Sequence, residues 1–237
     1  NREVKAFLDY REYPYSQVSD DERAATVASA IADGKIIGYM VGRMEYGPRS
    51  LGARSILGDA RNVDTQSIMN LKIKFRESFR PFAPSVLEAD CEEYFGLKTD
   101  SPYMLLVAPV NEDRWIISDT VIPEDGDMLP LINRPRSDIP AVTHVDYSAR
   151  IQTVSPTEKP DYYAVIKEFE KLTGYGLIVN TSFNVRGEPI VASPEDAYRC
   201  FMRTGIDMLV LENCILIKNE QPEFPEDEDW KDTYAVD

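Results

Sequence analysis

The chain has 237 residues, 43% of them hydrophobic, which is enough for one large domain or two small ones with a self-supporting core. Its 26 Lys and Arg against 41 Asp and Glu leave a formal net charge of −15, which argues against nucleic-acid binding by the surface as a whole. Three scattered cysteines (Cys91, Cys200, Cys214) and one histidine (His144) speak against a disulfide framework and a zinc site, and no apolar run is long enough for a bilayer. A reducing, cytoplasmic setting is expected, with no membrane partner.

Residues 1–19 are polar and aromatic and read as a linker segment. Ser19 followed by Asp20, Asp21 and Glu22 opens a helix, and Ala24, Val27, Ala28 and Ile31 continue it to Gly34. Residues 35–41 are a buried strand, so the class is α/β or α+β. In residues 63–74, Ile68, Leu71 and Phe75 sit at helical spacing. Residues 81–87 run from a proline loop into a strand, and residues 103–110 form another.

Residues 111–140 are rich in breakers and carboxylates and read as a long excursion. A strand over 150–154 and a helix over 161–172 closed by Gly174 come next. An apolar strand over 177–179 then leads into a polar loop over 180–189. Ser193-Pro194-Glu195-Asp196 is a helix entrance, and 207–211 and 214–218 are closing strands. The main domain is expected over 20–219, with an acidic tail over 220–237.

Against this acidic background, four segments concentrate cations or small polar groups. Residues 42–55 follow a strand and carry Arg43, Arg49 and Arg54 among glycines that permit close backbone approach. The spacing is not a Walker loop. Lys72, Lys74 and Arg76 would share one face of an extended segment, and Arg80 lies between Phe79 and Pro81, where a buried charge needs a partner. His144, Asp146, Ser148 and Arg150 would line one face of a strand. Of these Arg150 is the better binding residue, and a lone histidine is more often a structural hydrogen-bonder. Asn180, Ser182, Asn184 and Arg186 follow an apolar strand, where α/β proteins place ligands, although Asn180 and Asn184 could also serve only to cap their own turn.

Taken in order, GRMEYGPRSLGARSIL, KFRESFRPFAPSV, HVDYSARIQTV and NTSFNVRGEPIV resemble the C-terminal, YrdC-like domain of the NodU/CmcH/TobZ O-carbamoyltransferase family. The likeness spans roughly Val41 to Lys218. Lys74-x-Arg76 and Ser182-x-Asn184 look like the KxR and SxN signatures of that fold. The resemblance implies a twisted, mixed open sheet flanked by helices, with a basic concave face. It implies formation of carbamoyl-adenylate from carbamoyl phosphate and ATP, with Mg²⁺ accompanying the nucleotide and no metal held by this chain. It also implies an N-terminal actin-like ATPase or sugar-kinase-type domain, absent from this chain, that carries a metal and moves the carbamoyl group to an acceptor hydroxyl. On that basis Lys74, Arg80 and Asn184 are catalytic candidates. Arg49, Lys74, Arg80, Asn184 and Arg186 would bind carbamoyl phosphate, and Arg76, Arg150 and Ser182 the nucleotide. The rival readings are a non-catalytic nucleotide- or RNA-binding module and a regulatory domain that has lost its chemistry.

Overall fold

A computed structural model describes residues 2–117 and 129–224. Nine strands form one open, mixed sheet in the order β1-β9-β8-β2-β3-β7-β4-β6-β5. They are β1 (Ser16–Gln17), β2 (Ile37–Met40), β3 (Arg54–Gly58), β4 (Ala83–Leu87), β5 (Leu106–Pro109), β6 (Ser148–Val154), β7 (Leu177–Ser182), β8 (Met208–Leu211) and β9 (Cys214–Ile217). β2 runs parallel to β8 and β4 parallel to β6, while the other neighbours are antiparallel.

The inner strands are apolar on both faces, as a sheet covered on both sides requires. Ile37 and Tyr39 point to one face, where α2 (Asp20–Ala32) and α6 (Pro160–Thr173) bury Val27, Ile31, Ile166 and Phe169. Met40, Ile56 and Val179 point to the other, against α1 (Arg2–Tyr10), α3 (Thr65–Met69), α4 (Cys91–Phe95) and α7 (Pro194–Arg203). A short α5 (Leu129–Asn133) lies within the 111–140 excursion.

Several sequence expectations match element for element. Ser19 caps α2 through a reciprocal capping box with Glu22, Gly174 ends α6 in the left-handed conformation, and Ser193 caps α7 through a second box with Asp196. Ser193→Ala removes the hydroxyl that accepts the Asp196 N–H at 3.1 Å. It is expected to cost about 1 kcal/mol in urea denaturation.

Other expectations give way to the structure. Residues 1–19 hold α1 and β1, with Val4 and Leu8 buried in the core. The segment expected as one helix over 63–74 is α3 followed by a π-helical turn, Asn70–Lys74, closed by a Phe75 N–H to Asn70 carbonyl bond. The wider turn rotates the chain, so Ile73 and Lys74 go inside while Leu71 and Phe75 are exposed. The expected extended face of Lys72, Lys74 and Arg76 therefore does not exist. Residues 144–147 form a turn, not strand, with the Tyr147 N–H bonded to the His144 carbonyl, so the expected row from His144 to Arg150 is broken. β7 runs on to Ser182, placing Asn180, Thr181 and Ser182 in the strand and not in a loop.

The described parts of the 111–140 excursion are tied down at its base. Trp115 bridges to Ser137, and Arg114 pairs with Asp138 at 2.8 Å while lying 4.0 Å from the centre of the Tyr94 ring. Residues 118–128 of the excursion, and the acidic tail from 225 onward, lie outside the described residues.

Candidate active site

Two adjoining lobes open at the ends of β3, β4, β6 and β7. The first, about 170 Å³, is lined by Arg49, Ser50, Arg76, Phe82, Met104, Arg150 and Asn180, among others. The second, about 180 Å³, is lined by Lys74, Arg76, Arg80, Asn184 and Arg186. Arg76, Thr181 and Ser182 border both. All eight site residues named from the sequence thus lie on one continuous, two-lobed trough. Arg43 and Lys72 do not line it.

The β2–β3 loop delivers Arg49 and Ser50. Glu45 holds the loop closed, its Oε1 accepting the N–H groups of Leu51 and Ala53 at 2.7 Å each. Arg54, a cation candidate in the sequence, is buried and bonds the carbonyls of Gly42 (3.0 Å) and Ala53 (2.8 Å). Its job is to tie the loop, not to meet a ligand. Gly52 has φ +104°, and a Cβ there would lie 2.3 Å from the Tyr162 ring, so no larger residue fits this turn.

The π-helical turn delivers Lys74 and Arg76. Phe75 takes a left-handed conformation at its end (φ 48°), which throws Arg76 toward the trough. Asn70, buried and overlooked in the sequence, organises the segment from Arg76 to Arg80. Its Oδ1 accepts the Arg76 Nε–H at 2.6 Å, and its Nδ2 donates to the Ser78 and Arg80 carbonyls at 2.9 and 2.8 Å. The Arg76 guanidinium also lies 5.0 Å from the centre of the Phe82 ring.

Arg80 is not the buried charge that its apolar neighbours suggested. It is half exposed and pairs with Glu77 at 2.9 Å. The loss of helical and strand pairing at this segment leaves its side chain at the rim.

β7 and its following loop deliver Ser182, Asn184 and Arg186. Phe183 is wholly buried, and Gly38 beneath it has no room for a side chain, a Cβ meeting the ring at 2.6 Å. That packing anchors the loop. Lys74, 4% exposed, donates to the Ser182 carbonyl (2.5 Å), the Asn184 carbonyl (2.9 Å) and Asn184 Oδ1 (2.8 Å), with Ser182 Oγ at 3.3 Å. Ser182 Oγ donates to Asn184 Oδ1 at 2.7 Å, and Asn184 Nδ2 donates to the Glu188 carbonyl at 2.6 Å. Both ends of the Asn184 amide are therefore engaged within the protein.

The electrostatics are those of a crowd of cations. Burial, then Arg80, brings the Arg76 guanidinium down to about 10. Burial, then Arg49, lowers Arg150. Burial pulls Lys74 down to about 7, while its carbonyl acceptors favour the ammonium form and work against that pull. His144, lowered by burial, bonds Ser148 Oγ at 3.0 Å. Among the described residues, no group of three or more His, Cys, Asp or Glu is placed to hold a metal, and no helix is long and apolar enough to cross a membrane. The trough is built for a ligand with several negative charges close together.

Comparison with known proteins gives this architecture its class. The solved structure of full-length HypF in its phosphate- and nucleotide-bound form superposes at TM-score 0.51 and 17% identity over 84% of this chain and 22% of HypF, and the fold is YrdC-like. Residues 28–218 match the carbamoyltransferase C-terminus family, and the chain belongs to that family. An uncharacterised Synechocystis protein, sll1178, is 52% identical over all of this chain and 39% of its own length. The 3'-hydroxymethylcephem-O-carbamoyltransferase of Streptomyces clavuligerus is 33% identical over 78% of this chain and 31% of its own. The chain thus spans about a third of the curated relatives it matches.

Proposed function

We propose that this chain forms carbamoyl-adenylate from carbamoyl phosphate and ATP. The observation that carries the reading is the shared wall of the trough: two anion lobes meet at Arg76, Thr181 and Ser182. Such an arrangement suits two phosphate-bearing substrates that must react with one another. HypF, which shares the fold, has been solved with phosphate and nucleotide bound.

In this scheme water releases phosphate from carbamoyl phosphate and leaves carbamate. A carbamate oxygen then attacks the α-phosphorus of ATP, the bond to the β-phosphate oxygen breaks, and pyrophosphate departs. Such chemistry asks the protein chiefly to position groups and neutralise charge. Arg49, Arg76 and Arg150 hold one phosphate-bearing ligand, and Arg80, Arg186 and Arg76 hold the other. Lys74, whose protons are committed to Ser182 and Asn184, fixes the loop instead of touching a phosphate. Mg²⁺ enters on the ATP phosphates, bound mainly through phosphate and water oxygens. Transfer to an acceptor hydroxyl falls to protein beyond this chain, which covers 39% and 31% of the length of two curated relatives. The direct test is pyrophosphate release from ATP that requires carbamoyl phosphate. Release without carbamoyl phosphate, or none at all, would sink the reading.

Two further results are expected. Arg80→Ala should weaken binding of pyrophosphate by about 1.5–3 kcal/mol in calorimetry, the worth of one charge-assisted contact in the second lobe. An anion in the second lobe should also draw a proton onto Lys74, because negative charge favours the ammonium. Titrations between about pH 7 and 8 in buffers of different ionisation enthalpy should therefore register proton uptake on binding.

A further inference from the structure

We propose that Asn180 and Ser50 read the carbamoyl amide, making the first lobe selective for a carbamoyl group over other acyl phosphates. The inference rests on the carbamoyl phosphate reading above and adds two residues to it.

Asn180 is 1% exposed and lines the lobe. Its Nδ2 donates to the Ser50 carbonyl at 3.0 Å and to Gln152 Oε1 at 2.7 Å. That fixes which end of the amide is which, since a backbone carbonyl takes only a donor. Gln152 is itself locked: its Nε2 donates to the Leu51 carbonyl at 3.0 Å, and its Oε1 accepts the Ser85 hydroxyl at 2.6 Å. The Asn180 amide cannot turn over without breaking this chain.

Asn180 Oδ1 is then left buried with no hydrogen-bond partner, and so is Ser50 Oγ, whose residue is 3% exposed and lines the same lobe. A buried polar group without a partner is costly, and two beside one cavity call for a ligand that satisfies them. Asn180 Oδ1 can only accept, and the Ser50 hydroxyl can donate. A planar H₂N–C=O group answers both, its N–H to Asn180 and its oxygen to Ser50. Arg49, Arg76 and Arg150 line the same small lobe, so the amide must sit directly beside an anion. Carbamoyl phosphate and carbamate meet that condition. A nucleobase, held off from its phosphates by a ribose, does not. Asn184 cannot take this role, because both ends of its amide are already engaged.

The experiment compares two stable phosphonates in calorimetry against the full chain: phosphonoacetamide, which carries the amide, and acetonylphosphonate, in which a methyl replaces the amino group. Wild type should prefer the amide by at least about tenfold, since the methyl leaves Asn180 Oδ1 unpaired. Asn180→Ala should bring the ratio close to one while inorganic phosphate still binds. Ser50→Ala should weaken both phosphonates alike and preserve the ratio, because both carry the carbonyl; it also serves if Asn180→Ala fails to fold. Equal binding of the two phosphonates by wild type overturns the amide reader and leaves carbamoyl phosphate binding intact. Binding of neither overturns the carbamoyl phosphate reading and this inference with it.

Discussion

Arg76→Ala is expected to lower affinity for each of the two phosphate-bearing ligands by a factor of about 10 to 100, as measured by calorimetry with pyrophosphate and with phosphonoacetamide. Among the described residues, Arg76 is the one cation on the shared wall of the two lobes, so its loss removes a charge-assisted contact from each. Each is worth about 1.5–3 kcal/mol, which is a factor of about 10 to 100 for each ligand. The empty protein should lose far less. Arg76 stands among Arg80 and Arg186, whose charges lower it, so removing it relieves repulsion. Against that gain stands the orphaned Asn70 Oδ1, which loses its 2.6 Å partner. Arg76→Lys should rescue little, because a point charge cannot bond Asn70 and two anions through one planar fork. Loss of affinity for only one ligand would mean that the lobes are separate sites.

The trough was legible in the sequence to an unusual degree, because cations that cluster in a chain of net charge −15 stand out. Arg49, Lys74, Arg76, Arg80, Arg150 and Arg186 are all found from that contrast together with the ordered motifs. The contrast does not tell an arginine that meets a ligand from one that ties a loop. Arg49 and Arg54 share a segment and a composition, yet Arg54 turns back onto the Gly42 and Ala53 carbonyls. Nor does spacing reveal a π-helical turn. The i→i+5 turn over Asn70–Lys74 shifts the phase, so the apparent apolar stripe of Ile68, Leu71 and Phe75 is not the buried one.

The sequence left the small polar residues open between ligand binding and turn capping. Asn180 and Ser50 look like turn formers in a sequence, since Asn and Ser usually serve their own backbone in loops. Only the pairing of β7 with β3 and β4 shows Asn180 as a buried strand residue against the lobe. The weight given to Asn184 moves accordingly. Its amide belongs to the structural network of Lys74, and the unpaired amide oxygen lies four residues earlier.

That network gives the largest expected effect on stability. Lys74→Met keeps the volume of the stem but removes the donor to the Ser182 carbonyl, the Asn184 carbonyl and Asn184 Oδ1. Burying a lysine is itself costly, and an apolar residue is often an acceptable replacement for a buried charge. Here the acceptors decide the outcome. They belong mostly to the backbone, they stay buried, and the substitution supplies no donor in place of the ammonium. The loss should be about 3–5 kcal/mol, which is on the order of 10 °C in Tm for a domain of this size. Pyrophosphate release should fall with it, since the Ser182–Asn184 loop borders both lobes. The pH dependence reports which form of Lys74 the fold holds. Lys74 sits near 7 in the folded protein against an ordinary 10.5, so above about pH 7 the unfolded chain holds a proton that the folded one has shed. Stability from this group therefore rises with pH between those values. The difference between wild type and Lys74→Met should grow as pH is raised from 7, and a difference that shrinks or stays flat would show that the ammonium keeps its proton in the fold.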